Sequence, residues 1–270
     1  MPNTLLGGLL LLTVLCTGCG VIDQYNTGLQ KYQEAKQTFE NINQTISQQT
    51  DHHTVIVPGY GAPVAGNPTY QQYIDQVAEF VSEADNAVHS VVFTGSYTTQ
   101  PDLSEAEAMN SYFNSVVDTT DLQQRGVHVY QESCAIVSWQ NIAYSQELLA
   151  NEGIKPTRVT IFGDQQRADK LTTFATYKFN LSDGLPGNLQ DLVNVSVNVA
   201  AVEFVGFNFG DKVMSAEQRN AYFLAEIAGA YDVNVGNDIL AERIQLWSDQ
   251  FHYDVAANLV EHGCNQYKGF

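Results

Sequence analysis

The stretch that most constrains the fold is Val55-Ile56-Val57 running into Pro58-Gly59-Tyr60-Gly61. A continuous apolar run without polar alternation is typical of a strand buried on both faces. Glycines after such a strand allow a tight turn and a close approach of a ligand to the backbone. In a parallel sheet, ligands bind at this end of the strands. The stretch therefore predicts the first strand of an α/β domain with a ligand site at its carboxyl end. A turn that only requires glycine is the alternative interpretation.

The chain from residue 54 onward alternates strand and helix patterns. Strand patterns cover 54–57, 90–94, 127–130, 158–162 and 201–207, and helical spacing of apolar residues covers 70–84, 104–117, 137–151 and 165–178. Short connections between such elements imply right-handed crossovers and a parallel sheet flanked by helices. We therefore predict one α/β domain over 51–270, with a core over 54–178 and a C-terminal extension over 179–270. In that extension, 180–198 is a candidate insertion or lid, and 215–230 and 239–261 are predicted amphipathic helices.

The N-terminal residues have the character of a targeting segment. The apolar run over 5–15 is shorter than the roughly 20 residues that a transmembrane helix needs, and it fits a secretory signal. It ends in Thr17-Gly18-Cys19, which resembles the lipobox of bacterial lipoproteins. That resemblance implies a signal peptide over 1–18, lipidation of Cys19 and a membrane-anchored position in the bacterial cell envelope, facing the periplasm or the exterior. The run lacks a preceding Lys or Arg, and Cys16 stands where leucine is usual, so an uncleaved signal anchor is the alternative.

Residues 19–50 predict a helical spacer between this anchor and the domain. Apolar or aromatic residues recur there with the three-four spacing of a heptad pattern, at Ile22, Tyr25, Leu29, Tyr32, Phe39 and Ile46. Lys36 and Asn43 interrupt the pattern. Self-association through 21–50 is one interpretation. Since roughly four heptads is near the minimum for a coiled coil, packing on its own domain is the other and is favoured.

Charge and cysteine content exclude some classes of function. The formal net charge of −18 at pH 7 argues against sequence-independent binding of nucleic acid and against charge-driven binding to anionic lipid, which both need a basic surface. No spacing of cysteine and histidine suggests a zinc site, and no motif identifies a cofactor. Cys134 and Cys264 remain in an oxidising compartment after the signal is removed, either as a pair or as buried thiols.

Short motifs follow the predicted strands in a fixed order. They are Pro58-Gly59-Tyr60-Gly61 after the first strand, Thr94-Gly95-Ser96 after the second, Ser104-Glu105-Ala106-Glu107-Ala108-Met109 at the next helix, then Glu132, Asn141 and Arg167-Ala168. Their order and spacing over about 54–178 resemble the YdcF-like domain family, which includes the SanA and ElyC envelope proteins. The resemblance implies a Rossmann-like fold and a role in envelope or peptidoglycan homeostasis. It implies no settled reaction.

The chain departs from the motif pattern of the YdcF-like family at several positions and resembles a divergent member. Asp164 stands where the family usually has histidine, three residues before its Arg-Ala pair. Of the family's polar positions after the third strand, Glu132 and Asn141 match and Ser138 replaces threonine. Any activity that needs the histidine is therefore in doubt, and the chain is assigned neither to the enzymes nor to the non-enzymes.

All of these residues lie just beyond strand ends, so we expect them at one edge of the sheet. Glu132 is the candidate general base, and Arg167 is suited to phosphate or carboxylate. The predicted ligand-binding residues are Gly59, Gly61, Gly95, Ser104, Glu105, Asn141 and Arg167, and the predicted ligand is small and anionic or phosphorylated. Arg167 must otherwise pair with an internal carboxylate, for which Asp164, Glu132 and Glu105 are the candidates. The alternative function is a structural or interaction module with a degenerate site, in which side chains such as Tyr60 and Val137 fill the edge.

Overall fold

The computed structural model describes residues 52–61, 64–180, 200–210, 225–226, 229 and 233–270. Its strands are β1 (His53–Pro58), β2 (Val88–Thr94), β3 (His128–Glu132), β4 (Arg158–Asp164) and β5 (Ala201–Phe207). They form one parallel sheet in the order β3-β2-β1-β4-β5. The predicted α/β fold with a parallel sheet is confirmed. Because the chain moves outward from β1 in both directions, β1 and β4 flank the topological switch point, where ligands bind in such sheets.

Seven helices lie among the described residues. They are α1 (Pro68–Ser82), α2 (Glu105–Val116), α3 (Thr119–Gln124), α4 (Ser138–Asn151), α5 (Ala168–Asn180), α6 (Val233–Phe251) and α7 (Val255–Glu261). Local signals set two of their starts: Asn67 caps α1 ahead of Pro68, and Ser104 caps α2. The single helix predicted over 239–261 is wrong, since His252 adopts a positive φ and Asp254 caps a new helix.

The two faces of the sheet carry separate apolar layers. Val55 and Val57 pack with α1 and α2, whereas Ile56 packs with Ile142 of α4 and Leu171 of α5. Successive residues of a strand point to opposite faces, so a strand covered on both sides carries apolar residues at successive positions, as Val55, Ile56 and Val57 do. All six residues of β1 are buried, which confirms the prediction from its composition.

His53 directly precedes the strand pattern over 54–57 and belongs to the strand, not to an exposed linker. This residue begins β1 and is 3% exposed. Its ring nitrogens lie 2.6 Å from the carbonyl oxygen of Asn86 and 2.7 Å from Oγ1 of Thr160. Burial lowers the pKa of His53 and so favours the neutral ring. Its hydrogen bonds connect β1 to the turn before β2 and to β4 at the amino edge of the sheet.

The C-terminal elements form a third apolar cluster beside the loops after β2 and β3. A disulfide joins Cys134, in the loop after β3, to Cys264, just after α7. The sequence left open whether these cysteines pair, and the structure pairs them. The predicted signal over 1–18, Cys19, the spacer over 19–50, the candidate lid beyond residue 180 and most of 215–230 lie outside the described residues. Within the described residues, no helix is both long and apolar enough to cross a membrane.

Candidate site at the carboxyl edge of the sheet

The strand ends bring the predicted site residues to one edge. The loops are linked there by backbone hydrogen bonds, from Gly59 N to Thr94 O (2.7 Å) and from Gly95 N to Glu132 O (3.0 Å). Many buried polar side chains gather around these links, namely Thr94, Ser96, Thr98, Ser104, Glu105, Glu132, Ser138, Gln140 and Asn141. Burying polar groups is costly unless they are hydrogen-bonded. This edge is therefore the polar centre of the domain.

Glu105 turns toward the loop after β1. The side chain is 5% exposed, and its Oε1 accepts hydrogen bonds from Tyr60 N (2.7 Å), Gly61 N (2.6 Å) and the hydroxyl of Tyr70 (2.6 Å). Successive amides of a glycine loop are the usual cradle for an anion. Here an internal carboxylate occupies that cradle, so Glu105 stabilises the loop from within the protein.

The first amides of α2 are also engaged internally. Ser104 N donates to Glu107 Oε2 and Glu107 N donates back to Ser104 Oγ, which completes a capping box. Glu105 N donates to Ser96 O, and Ala106 N donates to Gly95 O. A ligand anion at this helix end would have to displace one of these partners. The ligand-binding role of Ser104 stays a prediction.

Glu132 lies at the end of β3 with both carboxylate oxygens occupied. Oε1 accepts from Cys134 N (2.7 Å), and Oε2 accepts from Ala135 N (3.2 Å) and from the hydroxyl of Thr94 (2.7 Å). The same hydroxyl lies 3.0 Å from Oδ1 of Asn141. Burial raises the pKa of Glu132, although these three donors oppose the shift. The arrangement ties the loops together and leaves Glu132 buried at 9% exposure.

Arg167 lies on the other side of the edge, in the 3₁₀ turn Gln165–Arg167 that follows β4. Its Nη1 donates to the carbonyl oxygen of Gly59 (3.3 Å), and its guanidinium carbon lies 5.2 Å from the centroid of the Tyr60 ring. The side chain is half-buried. Within the described part of the chain, no carboxylate lies within 4.0 Å of this guanidinium. Arg167 therefore keeps donors that no carboxylate of the described residues uses.

Two charged neighbours of Arg167 in sequence, Asp164 and Lys170, are engaged elsewhere. Asp164 caps the 3₁₀ turn, where its Oδ1 accepts from Gln166 N (3.2 Å). Lys170 pairs with Glu226 at 2.8 Å. The three carboxylates predicted as internal partners of Arg167 thus serve other groups: Asp164 its own turn, Glu105 the β1 loop and Glu132 the β3 loop.

Aromatic rings, including that of Phe209, which the sequence did not assign to the site, pack beside Arg167. Tyr60 stacks on Phe209 with ring centroids 3.7 Å apart and planes 6° apart. Phe209 also contacts Tyr70 and Tyr73 of α1. The ring of Tyr60 thereby contacts both Phe209 and Arg167. Phe209 follows β5 and lies in no motif. Only the position of β5 beside β4 in the sheet could have identified it as part of the site.

Conformation requires glycine at two of the predicted positions. Gly61 has a φ of 79° and Gly95 a φ of 152°, which side chains disfavour. The described residues contain no group of three or more histidine, cysteine or acidic side chains that could hold a metal ion. Comparisons of the chain with protein-family models, with curated proteins and with solved structures found no match.

Proposed function

We propose that this protein is a lipid-anchored protein of the bacterial cell envelope whose α/β domain binds a small anionic or phosphorylated ligand. The binding point is the switch region between β1 and β4, and Arg167 is the residue that holds the anion. The single observation that carries this proposal is the half-buried guanidinium of Arg167, which has no carboxylate partner among the described residues.

The surroundings of Arg167 suit this role. A guanidinium presents a planar fork of donors that matches the oxygens of phosphate and carboxylate. The carbonyl of Gly59 and the ring of Tyr60 hold the fork in one orientation before any ligand arrives, so little side-chain entropy is lost on binding. The lipobox-like Thr17-Gly18-Cys19 and the resemblance to YdcF-like envelope proteins support a role in envelope or peptidoglycan homeostasis.

A second candidate function is a structural or interaction module. It is favoured by the arrangement around Glu132, whose oxygens are all used internally. Val137 is buried in the C-terminal cluster, and Tyr60 stacks on Phe209. These side chains fill part of the edge, as expected for a module whose site has degenerated. In that case Arg167 only braces the β1 loop.

The two functions are separated by measuring ligand-induced changes in melting temperature. The parent is titrated with inorganic phosphate, pyrophosphate and a sugar phosphate, with potassium chloride at matched ionic strength as the blank. Arg158→Ala is the matched control, since Arg158 begins β4 at the opposite, amino edge of the sheet and forms a partly exposed pair with Glu203. A ligand at about 100 times its Kd should stabilise the parent and this control by about 2.7 kcal/mol. Arg167→Ala should show no stabilisation. The absence of any shift in the folded parent would favour the structural module.

A further inference from the structure

A C-terminal cover, defined here as residues 253–267, lies over the loops after β2 and β3. The ring of His262 stacks on Tyr97 at 3.9 Å, and its Nε2 lies 3.0 Å from the carbonyl oxygen of Pro101. Asn258 Nδ2 donates to the same carbonyl at 3.1 Å, and the hydroxyl of Tyr253 donates to Tyr97 O. Tyr253, Asn258 and His262 thus attach the cover to the loop that follows β2.

The end of the cover, at Cys264 and Tyr267, lies against the loop that surrounds Glu132. The hydroxyl of Tyr267 lies 2.6 Å from Cys134 O and 2.8 Å from Gln140 Oε1. Cys264 is bonded to Cys134, whose backbone amide donates to Glu132. The disulfide therefore attaches the cover two residues from the buried carboxylate.

The apolar contact between cover and domain is small. Ten buried residues form the third cluster, but only Tyr97, Ile136 and Val137 come from the part of the domain before residue 200. The other seven belong to α6, α7 and the turn after α7. Five of the seven lie in the cover itself, and with Leu240 and Ile244 of α6 they form a core that belongs mostly to the C-terminal segment. The cover can therefore move away from the loops together with α6 and keep these contacts, which is the usual basis of sub-global opening.

We propose that the Cys134–Cys264 disulfide is a redox latch, which keeps the cover closed over the Glu132 side of the edge and releases it when a dithiol reduces the bond. The oxidised protein then keeps the cover on Gln140 and on the loop that holds Glu132. The reduced protein exposes Gln140 and opens the way to Glu132. This latch does not depend on the ligand proposed for Arg167.

The exchange reaction has a defined course. Cys134 is partly exposed and Cys264 is fully buried, so a thiolate of the dithiol attacks Sγ of Cys134 and Cys264 leaves as a thiolate. The second thiol of the reductant, as its thiolate, attacks the mixed disulfide and releases Cys134. The dithiol becomes a disulfide, and the protein gains two electrons and two protons as two thiols.

Hydrogen exchange on the full chain tests the latch. The oxidised parent is compared with the parent reduced by excess dithiothreitol and with the Cys134→Ser/Cys264→Ser variant. We expect amide exchange in 134–136 and 255–261 to become at least about tenfold faster in both reduced forms, with β1 and β4 unchanged. Dithiothreitol should not alter exchange in the double variant, which controls for effects of the reagent on other groups.

Two outcomes would overturn the latch. Unchanged exchange in 255–261 after reduction would mean that packing alone holds the cover. An equal acceleration in β1 and β4 would mean that the disulfide stabilises the whole domain without gating one edge. Reduction of the folded parent answers both questions even where the double variant fails to fold. Neither outcome bears on anion binding at Arg167, which is measured separately.

Discussion

Oε2 of Glu105 lies where the side chain of residue 59 would begin: a Cβ built on Gly59 would be 2.4 Å from that oxygen. The glycine after β1 is therefore required by a carboxylate from α2. The same carboxylate accepts from the amides of Tyr60 and Gly61. One buried acidic side chain thus determines the shape of the turn and excludes any larger residue from it.

Gly59→Ala should lower the free energy of unfolding by about 1–3 kcal/mol, the usual cost of overpacking. Glu105 cannot move aside cheaply, because three donors hold its Oε1. Urea unfolding measures the loss. In a Glu105→Ala background, where the obstructing carboxylate is absent, the same glycine substitution should cost much less. An equal cost in both backgrounds would contradict the contact as the cause.

Asp164→Asn should strengthen anion binding. Asn keeps an oxygen that can accept from Gln166 N, so the turn that carries Arg167 persists, while one negative charge beside the anion is removed. A gain of about 1 kcal/mol, roughly fivefold in Kd, is the scale of one such charge in a solvated setting. Calorimetric titration with pyrophosphate measures it. Asp85→Asn, an exposed change in the turn before β2, is the control; an equal gain there would point to net charge alone.

Relative to the Glu132→Gln variant, the parent should have its largest free energy of unfolding in mild acid. The pKa of Glu132 is raised in the folded protein by burial, so the folded state binds more protons than the unfolded state between the ordinary value of 4.5 and the raised value. In that window the stability contribution falls as pH rises. The free-energy difference between parent and Glu132→Gln, from urea unfolding between pH 4 and 7, should shift against the parent with increasing pH. A difference that does not vary with pH would contradict the raised pKa.

Cys19→Ala should abolish lipid labelling and release the protein from membranes. A thioether-linked lipid at Cys19 is the anchor that the Thr17-Gly18-Cys19 motif implies. Cys16→Leu removes the neighbouring thiol and places the usual leucine at that position of the motif, so it should leave both properties unchanged. Metabolic labelling with a fatty-acid analogue and membrane sedimentation measure the two effects. A Cys19→Ala protein that still sediments with membranes and keeps its first residues would establish the signal-anchor alternative.

The strands could be predicted from the sequence because burial on both faces leaves a local mark. The run over 55–57 is apolar at every position, and each predicted strand overlaps an observed one. Capping signals at Ser104 likewise act within a few residues. The break between α6 and α7 was missed, since the apolar spacing continues through it and only the backbone at His252 reverses. The parallel sheet followed from the alternation of strands and helices.

The sequence by itself thus determined the order of elements and the gathering of polar residues at one sheet edge. Only the tertiary structure decided which of those residues face each other. Glu105 turns inward to the β1 loop, Arg167 donates to the carbonyl of Gly59, and Cys264 bonds to Cys134 across a separation of 130 residues. Local patterns report the burial of each residue, because burial follows from its own element. The partner of a buried polar group depends on how distant elements pack, and no local pattern carries that information.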